Sequence, residues 1–159
     1  MKRAAYLAGL LVIAILMGGC ATTSMPSHAE VTDEAKASLQ EIVDLMPTGA
    51  VATSRPDQAP DSCDISMIGG KRDGFFYTGS VDIVLPTGTD VSSVVNELPS
   101  RLGDGWQNIR VDLKLSFPTV ELRNTRTEVQ VNVMGSKPEE ATPSIYLNAI
   151  SRCGERPAG

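Results

Sequence analysis

The sequence predicts an α+β fold, a two-layer sandwich in which an antiparallel sheet of about five to six strands carries two helices on one face, with one disulfide. Three observations predict it. Two stretches repeat apolar residues at helical spacing, four longer stretches and two short ones alternate apolar with polar residues, and the strands follow one another in hairpin order. With 159 residues, and 140 once a leader of 19 is set aside, the chain suffices for one domain with a real core but not comfortably for two.

Residues 21–31 are small and polar with a single proline, and are expected to form a tether. Eleven residues at about 3.5 Å each reach no further than roughly 40 Å, which keeps the domain near whatever holds Cys20. A first helix is expected from Thr32. Thr32 or Asp33 caps it, Asp33 and Glu34 suit its positive end, and Ala35, Leu39, Ile42, Val43 and Met46 form an apolar stripe that Pro47 and Gly49 terminate. Residues 48–62, rich in Pro, Ala, Ser and Asp, are expected to be a surface loop.

Cys63, Ile65 and Met67 alternate with polar residues as in a short strand, and residues 69–74 form a glycine-rich hairpin connection. Residues 75–85 are the clearest strand. Phe75, Tyr77, Val81, Ile83 and Leu85 share one phase, while Thr78, Ser80 and Asp82 share the other. After a turn at Pro86-Thr87-Gly88, Asp90 caps a second helix with a stripe of Val91, Val94, Val95, Leu98 and Leu102. Pro99 interrupts that helix; an interior proline loses a hydrogen bond at a cost of around 3 kcal/mol, so a kink or restart is expected, with residues 103–105 as the stop.

Trp106 opens a strand in which Ile109, Val111, Leu113 and Leu115 alternate with Asn108, Arg110, Asp112 and Lys114. Phe117-Pro118 breaks the ladder. A short strand at 120–122 turns at Asn124-Thr125 into a strand at 127–134, with Val129, Val131 and Val133 inward and Glu128, Gln130 and Asn132 outward. A polar loop at 137–143 leads to the last strand, 144–153, with Ile145, Leu147 and Ala149 inward.

The leader sets the address. Lys2 and Arg3 precede an unbroken apolar run from Ala4 to Met17, signal-peptide length and short of the roughly 20 residues that span a bilayer. Met17-Gly18-Gly19-Cys20 resembles a lipobox, departing from it in having Met17 where leucine is usual. The resemblance implies that residues 1–19 are removed and that Cys20 carries acyl chains, each buried CH₂ contributing about 0.8 kcal/mol, enough to hold the chain on the outer side of the cell membrane. Ordinary secretory cleavage after Ala21 and an uncleaved anchor are the alternatives. The expected divisions are a signal peptide at 1–19, a lipid-anchored tether at 20–31, one domain at 32–155 and a tail at 156–159.

Loss of Lys2 and Arg3 leaves 12 basic against 19 acidic residues, a mature charge of −7. Such a chain is repelled by nucleic acid, which is not an expected partner. Of three cysteines, Cys20 belongs to the anchor, and Cys63 with Cys153 are expected to pair in an oxidising compartment, as neighbours across one sheet edge; two unpaired buried thiols are the alternative. With these pieces in place, the chain resembles the small actinobacterial, especially mycobacterial, lipoproteins of the LppA type. The shared features are Met17 to Cys20, a helix, Cys63, the strand 75–85, a helix ending at Gly105-Trp106, further strands and a closing Cys153. The resemblance implies the location and the fold, and brings no enzymatic activity with it.

Catalytic chemistry finds little support. The only histidine, His28, lies in the expected tether, which removes Ser-His-Asp and Cys-His centres from the domain. Gly70-Lys71 lacks the rest of a P-loop, and Asp57, Asp61 and Asp64 match no calcium-loop spacing and are expected to be a solvated loop. No cofactor or metal site is expected. Trp106 is a core or sheet-edge aromatic before it is a ligand platform. The candidate surface is the wet sheet face: Thr78, Ser80, Asp82, Arg110, Asp112, Lys114, Gln130, Asn132, Tyr146 and Asn148, with Asn108 and Glu128 in the same phase, where a partner protein of the envelope or a glycan would bind. A non-catalytic binding or accessory module is therefore the expected function. The alternative is a small-molecule or lipid carrier with a cavity between helices and sheet. The oligomeric state has no signal in the sequence.

Overall fold

Ser27 sits in extended backbone and its hydroxyl accepts a hydrogen bond from the Glu30 amide at 3.1 Å, which caps helix α1 (His28–Val43). The structure is a computed structural model that describes residues 24–63, 74–109 and 115–157. The helix thus starts four residues before the expected Thr32. Thr32 is interior, its hydroxyl donating to the His28 carbonyl at 2.8 Å, and Val31, assigned above to the tether, is fully buried. The correction has a clear cause: Val31 belongs to the stripe of Ala35, Leu39 and Ile42, one helical turn further back.

Strand β1 (Val51–Ser54) lies where a loop was expected, and all four of its residues are exposed. Strand β2 (Asp61–Ser62) pairs only with β3 (Phe75–Phe76), in a separate two-stranded ribbon. The single strand expected over 75–85 is therefore two, because Tyr77 separates β3 from β4 (Thr78–Val84). The expected strand through Ile65 and Met67 and its hairpin fall outside the described residues. Helix α2 (Val91–Leu102) is capped as expected by Asp90, whose carboxylate accepts from the amides of Ser92 and Ser93. It runs through Pro99 without interruption to a 3-10 turn at Gly103–Gly105, so the restart expected at Pro99 is not found.

Strands β5 (Trp106–Asn108), β6 (Thr119–Asn124), β7 (Gln130–Gly135) and β8 (Ser144–Ile150) complete a six-stranded antiparallel sheet of order β1-β4-β8-β7-β6-β5. Glu128 is not a strand residue as expected. It lies at φ 61° in the turn joining β6 to β7, where Asn124 Oδ1 accepts from the amides of Arg126 and Thr127.

Both helices cover the same sheet face. Ala35, Leu39 and Ile42 of α1 and Val95 and Leu98 of α2 join Val81, Ile83, Leu122, Val131, Val133, Ile145 and Leu147 in one buried cluster. Each of its valine, leucine and isoleucine side chains contributes on the order of 1.5–3 kcal/mol by leaving water. Gly135 is what lets α2 approach: a Cβ there would lie 2.5 Å from Val91 Cγ1 and 2.7 Å from Pro118 Cγ. Trp106 is a core side chain.

Cys63 and Cys153 form the expected disulfide, closing a sequence separation of 90 residues. Its position differs from expectation. β8 is central, so Cys153 lies beyond the end of a middle strand, and the bridge joins that end to the β2–β3 ribbon instead of joining neighbours across an edge. Gly154 exchanges two backbone hydrogen bonds with Phe75, and the Glu155 amide donates to the Pro26 carbonyl at 2.7 Å, so the stapled C-terminal segment also grips the start of α1.

Candidate functional site: the open sheet face

Alternation along each strand sends the apolar residues under the helices and leaves a second face that carries no helix among the described residues. Register aligns its side chains in rows. One row runs Thr53, Asp82, Tyr146, Met134, Thr119 across β1, β4, β8, β7 and β6. The next runs Ser80, Asn148, Asn132, Glu121, and a third runs Thr78, Ile150, Gln130, Arg123. The structure thus brings together seven residues of the expected face: Thr78, Ser80, Asp82, Gln130, Asn132, Tyr146 and Asn148. Arg110, Asp112 and Lys114 lie outside the described residues, as does Cys20.

The β4–β8 part of this face is pre-ordered. Arg55, just past β1, donates from Nε to Asp82 Oδ2 at 2.6 Å and from Nη2 to Oδ1 at 2.8 Å, a two-point clasp that holds the guanidinium plane. The same guanidinium lies 4.7 Å from the centre of the Tyr146 ring. Tyr146 and Ser80 share a hydrogen bond of 2.8 Å between their hydroxyls, and Asn148 Nδ2 donates to Ser80 Oγ at 3.1 Å. The hydrogen bond from Arg55 holds the Asp82 carboxyl below its ordinary range, and the same pairing raises Arg55. Five side chains, four from β4 and β8 and one from the residue just past β1, are fixed relative to one another before anything binds.

Beside them opens a cleft of about 370 Å³ on the same face, lined in part by Val84, Phe117, Met134, Ile145 and Tyr146, with Asp82, Lys137 and Glu140 as its charged side chains. A mainly apolar lining with a few charged groups is the usual make-up of a recognition surface. Val84 and its register partner Val51 are 48% and 62% exposed, so the end of the face nearest this cleft is its least polar part.

The acidic residues of the 55–62 segment do different work. Asp57 accepts from Lys36 Nζ at 2.7 Å and from Tyr77 hydroxyl at 2.6 Å, tying β1's exit to α1. The hydrogen bonds from Lys36 and from Tyr77 lower the Asp57 pKa, while burial first and the Asp57 carboxylate second push the Tyr77 phenol well above its usual value. Tyr77 therefore stays a neutral donor. Asp64 lies outside the described residues, and among those described no group of three His, Cys, Asp or Glu side chains is placed to hold a metal ion.

No family model, curated protein or solved structure matches this chain. The site therefore rests on geometry.

Sequence reasoning missed Arg55, Glu121, Arg123 and Met134 on this face. Arg55 stood in a presumed loop, and the signal for it was the four-residue run Val-Ala-Thr-Ser before Arg55-Pro56, too short and too small-sided to show alternation. Glu121 and Arg123 were legible in principle, as the outward phase of a strand given too few residues.

Proposed function

We propose that the chain is a membrane-anchored extracytoplasmic lipoprotein of the cell envelope, similar in kind to the LppA-type proteins, whose domain is a non-catalytic module that holds a partner protein on its open sheet face. The observation that carries this reading is the Arg55–Asp82–Tyr146–Ser80–Asn148 cluster. Side chains that only needed to stay wet would gain little from a two-point ion pair stacked on an aromatic ring, whereas a binding face gains from being ordered in advance. Tyr and Arg are also the side chains that dominate interface energetics. The disulfide supports the extracytoplasmic address, since such bridges persist where thiols are oxidised.

A photo-crosslinking residue placed at Asn132 on intact cells tests the reading, with the same probe at Ala37 on the exposed side of α1 as control. One reproducible adduct from position 132, absent from 37 and lost in an Arg55→Glu background, is expected. Adducts that are equal at both positions, or absent at saturating dose, reject it. A carrier function has the apolar lining of the 370 Å³ cleft in its favour. Native mass spectrometry separates the two, because a carrier retains a small ligand through purification.

A further inference from the structure

The anchored reading leaves open which end of the domain meets the bilayer, and the start of α1 answers it. From Cys20 to Pro26 there are six residue steps, about 20 Å when fully extended. Pro26 is not free to extend the tether, because its carbonyl is held by the Glu155 amide at 2.7 Å and the next residue caps α1. The tether therefore ends on the surface formed by the first turn of α1, the β3 ribbon and the stapled C-terminal segment. Met25 stands there 37% exposed, a large apolar side chain just ahead of the helix, close to Gly74 and Cys153. Phe75 is beside it, bridged to Gly154, with the Arg156 guanidinium 4.9 Å from its ring centre. An apolar side chain and an aromatic capped by arginine are the composition expected of a contact at headgroup level.

We propose that this disulfide end is a membrane-contact surface, laid on the phospholipid headgroups through Met25, Phe75 and Arg156, so that the lipid chains and this patch hold the domain at two points. The proposal rests on the anchored reading and adds to it an orientation. Asp61 and Glu155 stand at the same end and offset the arginine, so the contact is made by insertion of apolar groups and does not require anionic lipid. α1 is about 24 Å long and β4 about 20 Å. The Val51–Val84 end of the open face, with its cleft, is accordingly turned away from the bilayer toward proteins that approach from outside.

Protein purified from membranes is first weighed intact, which reports acylation of Cys20 directly. The acylated protein is then placed in phosphatidylcholine vesicles brominated at acyl positions 6 and 7. Met25→Trp and Arg156→Trp are compared with Val51→Trp, the signal of the buried Trp106 being taken from the unsubstituted protein. Blue-shifted emission and at least twofold stronger quenching at positions 25 and 156 than at 51 is the expected result. An acylated protein whose three reporters quench alike overturns the orientation and leaves the anchor standing. An unacylated Cys20 overturns the anchor, and the orientation with it.

Discussion

Arg55 occupies three relationships at once, with the Asp82 carboxylate, the Tyr146 ring and the β4 backbone, where its own amide donates to the Ser80 carbonyl at 2.9 Å. Because the ion pair is about half exposed, its value for stability is small. An Arg55/Asp82 double-mutant cycle is expected to give little or no coupling in unfolding, while partner capture falls tenfold or more with either change. A large stability coupling with intact capture would assign the pair to the fold alone. Tyr77 and Asp57 give a pH signature. A tyrosine ionises near pH 10 in the unfolded chain, and here its folded value is raised, so its stabilisation is complete below about pH 10 and is lost as pH rises through the folded value. Melting temperature followed from pH 8 to 12 should fall beyond pH 10 more steeply in the native protein than in Tyr77→Phe. The Asp57 value is lowered, so its contribution is present above about pH 4 and lost in more acidic solution. Asp57→Asn should flatten that acid limb.

Among the elements, those with one buried and one wet side were legible and those without were not. β7 and β8 alternate cleanly because one phase lies under the helices, and their inward valines, leucine and isoleucine stood where the pattern put them. β1 could not be found the same way, since neither of its sides is covered and its small residues carry no period. The break at Tyr77 was equally hidden: alternation continues across it, and only pairing partners distinguish β3 from β4. On the candidate site, alternation gave the phase of Ser80, Asp82, Tyr146 and Asn148 but not the order of strands, so their meeting in a cluster with Arg55 required the fold. α2 depends on two local devices. Asp90→Ala should cost about 1 kcal/mol through loss of the cap. Gly135→Ala should cost on the order of 1–3 kcal/mol, because the added methyl meets Val91 and Pro118. Urea titration measures both, and a neutral Gly135→Ala would show that α2 moves aside freely.

For the molecule as a whole, the staple is the largest single constraint. Bridging residues 90 apart contributes roughly 4 to 5 kcal/mol in the chain-entropy picture, a large share of the stability of a domain this size. The double change Cys63→Ala with Cys153→Ala should therefore lower the melting temperature by more than 10 °C, measured by calorimetry against the oxidised protein. The position of β8 carries a different lesson. β8 lies between β4 and β7 although it follows both in sequence, so the two halves of the sheet have no common neighbour until β8 is in place. Insertion of β8 is the step that joins β1 and β4 to β5, β6 and β7, and its pairing with β4 brings together residues far apart in sequence. Closure of the sheet is accordingly the non-local event of this fold, and fraying of β8 would open both halves at once.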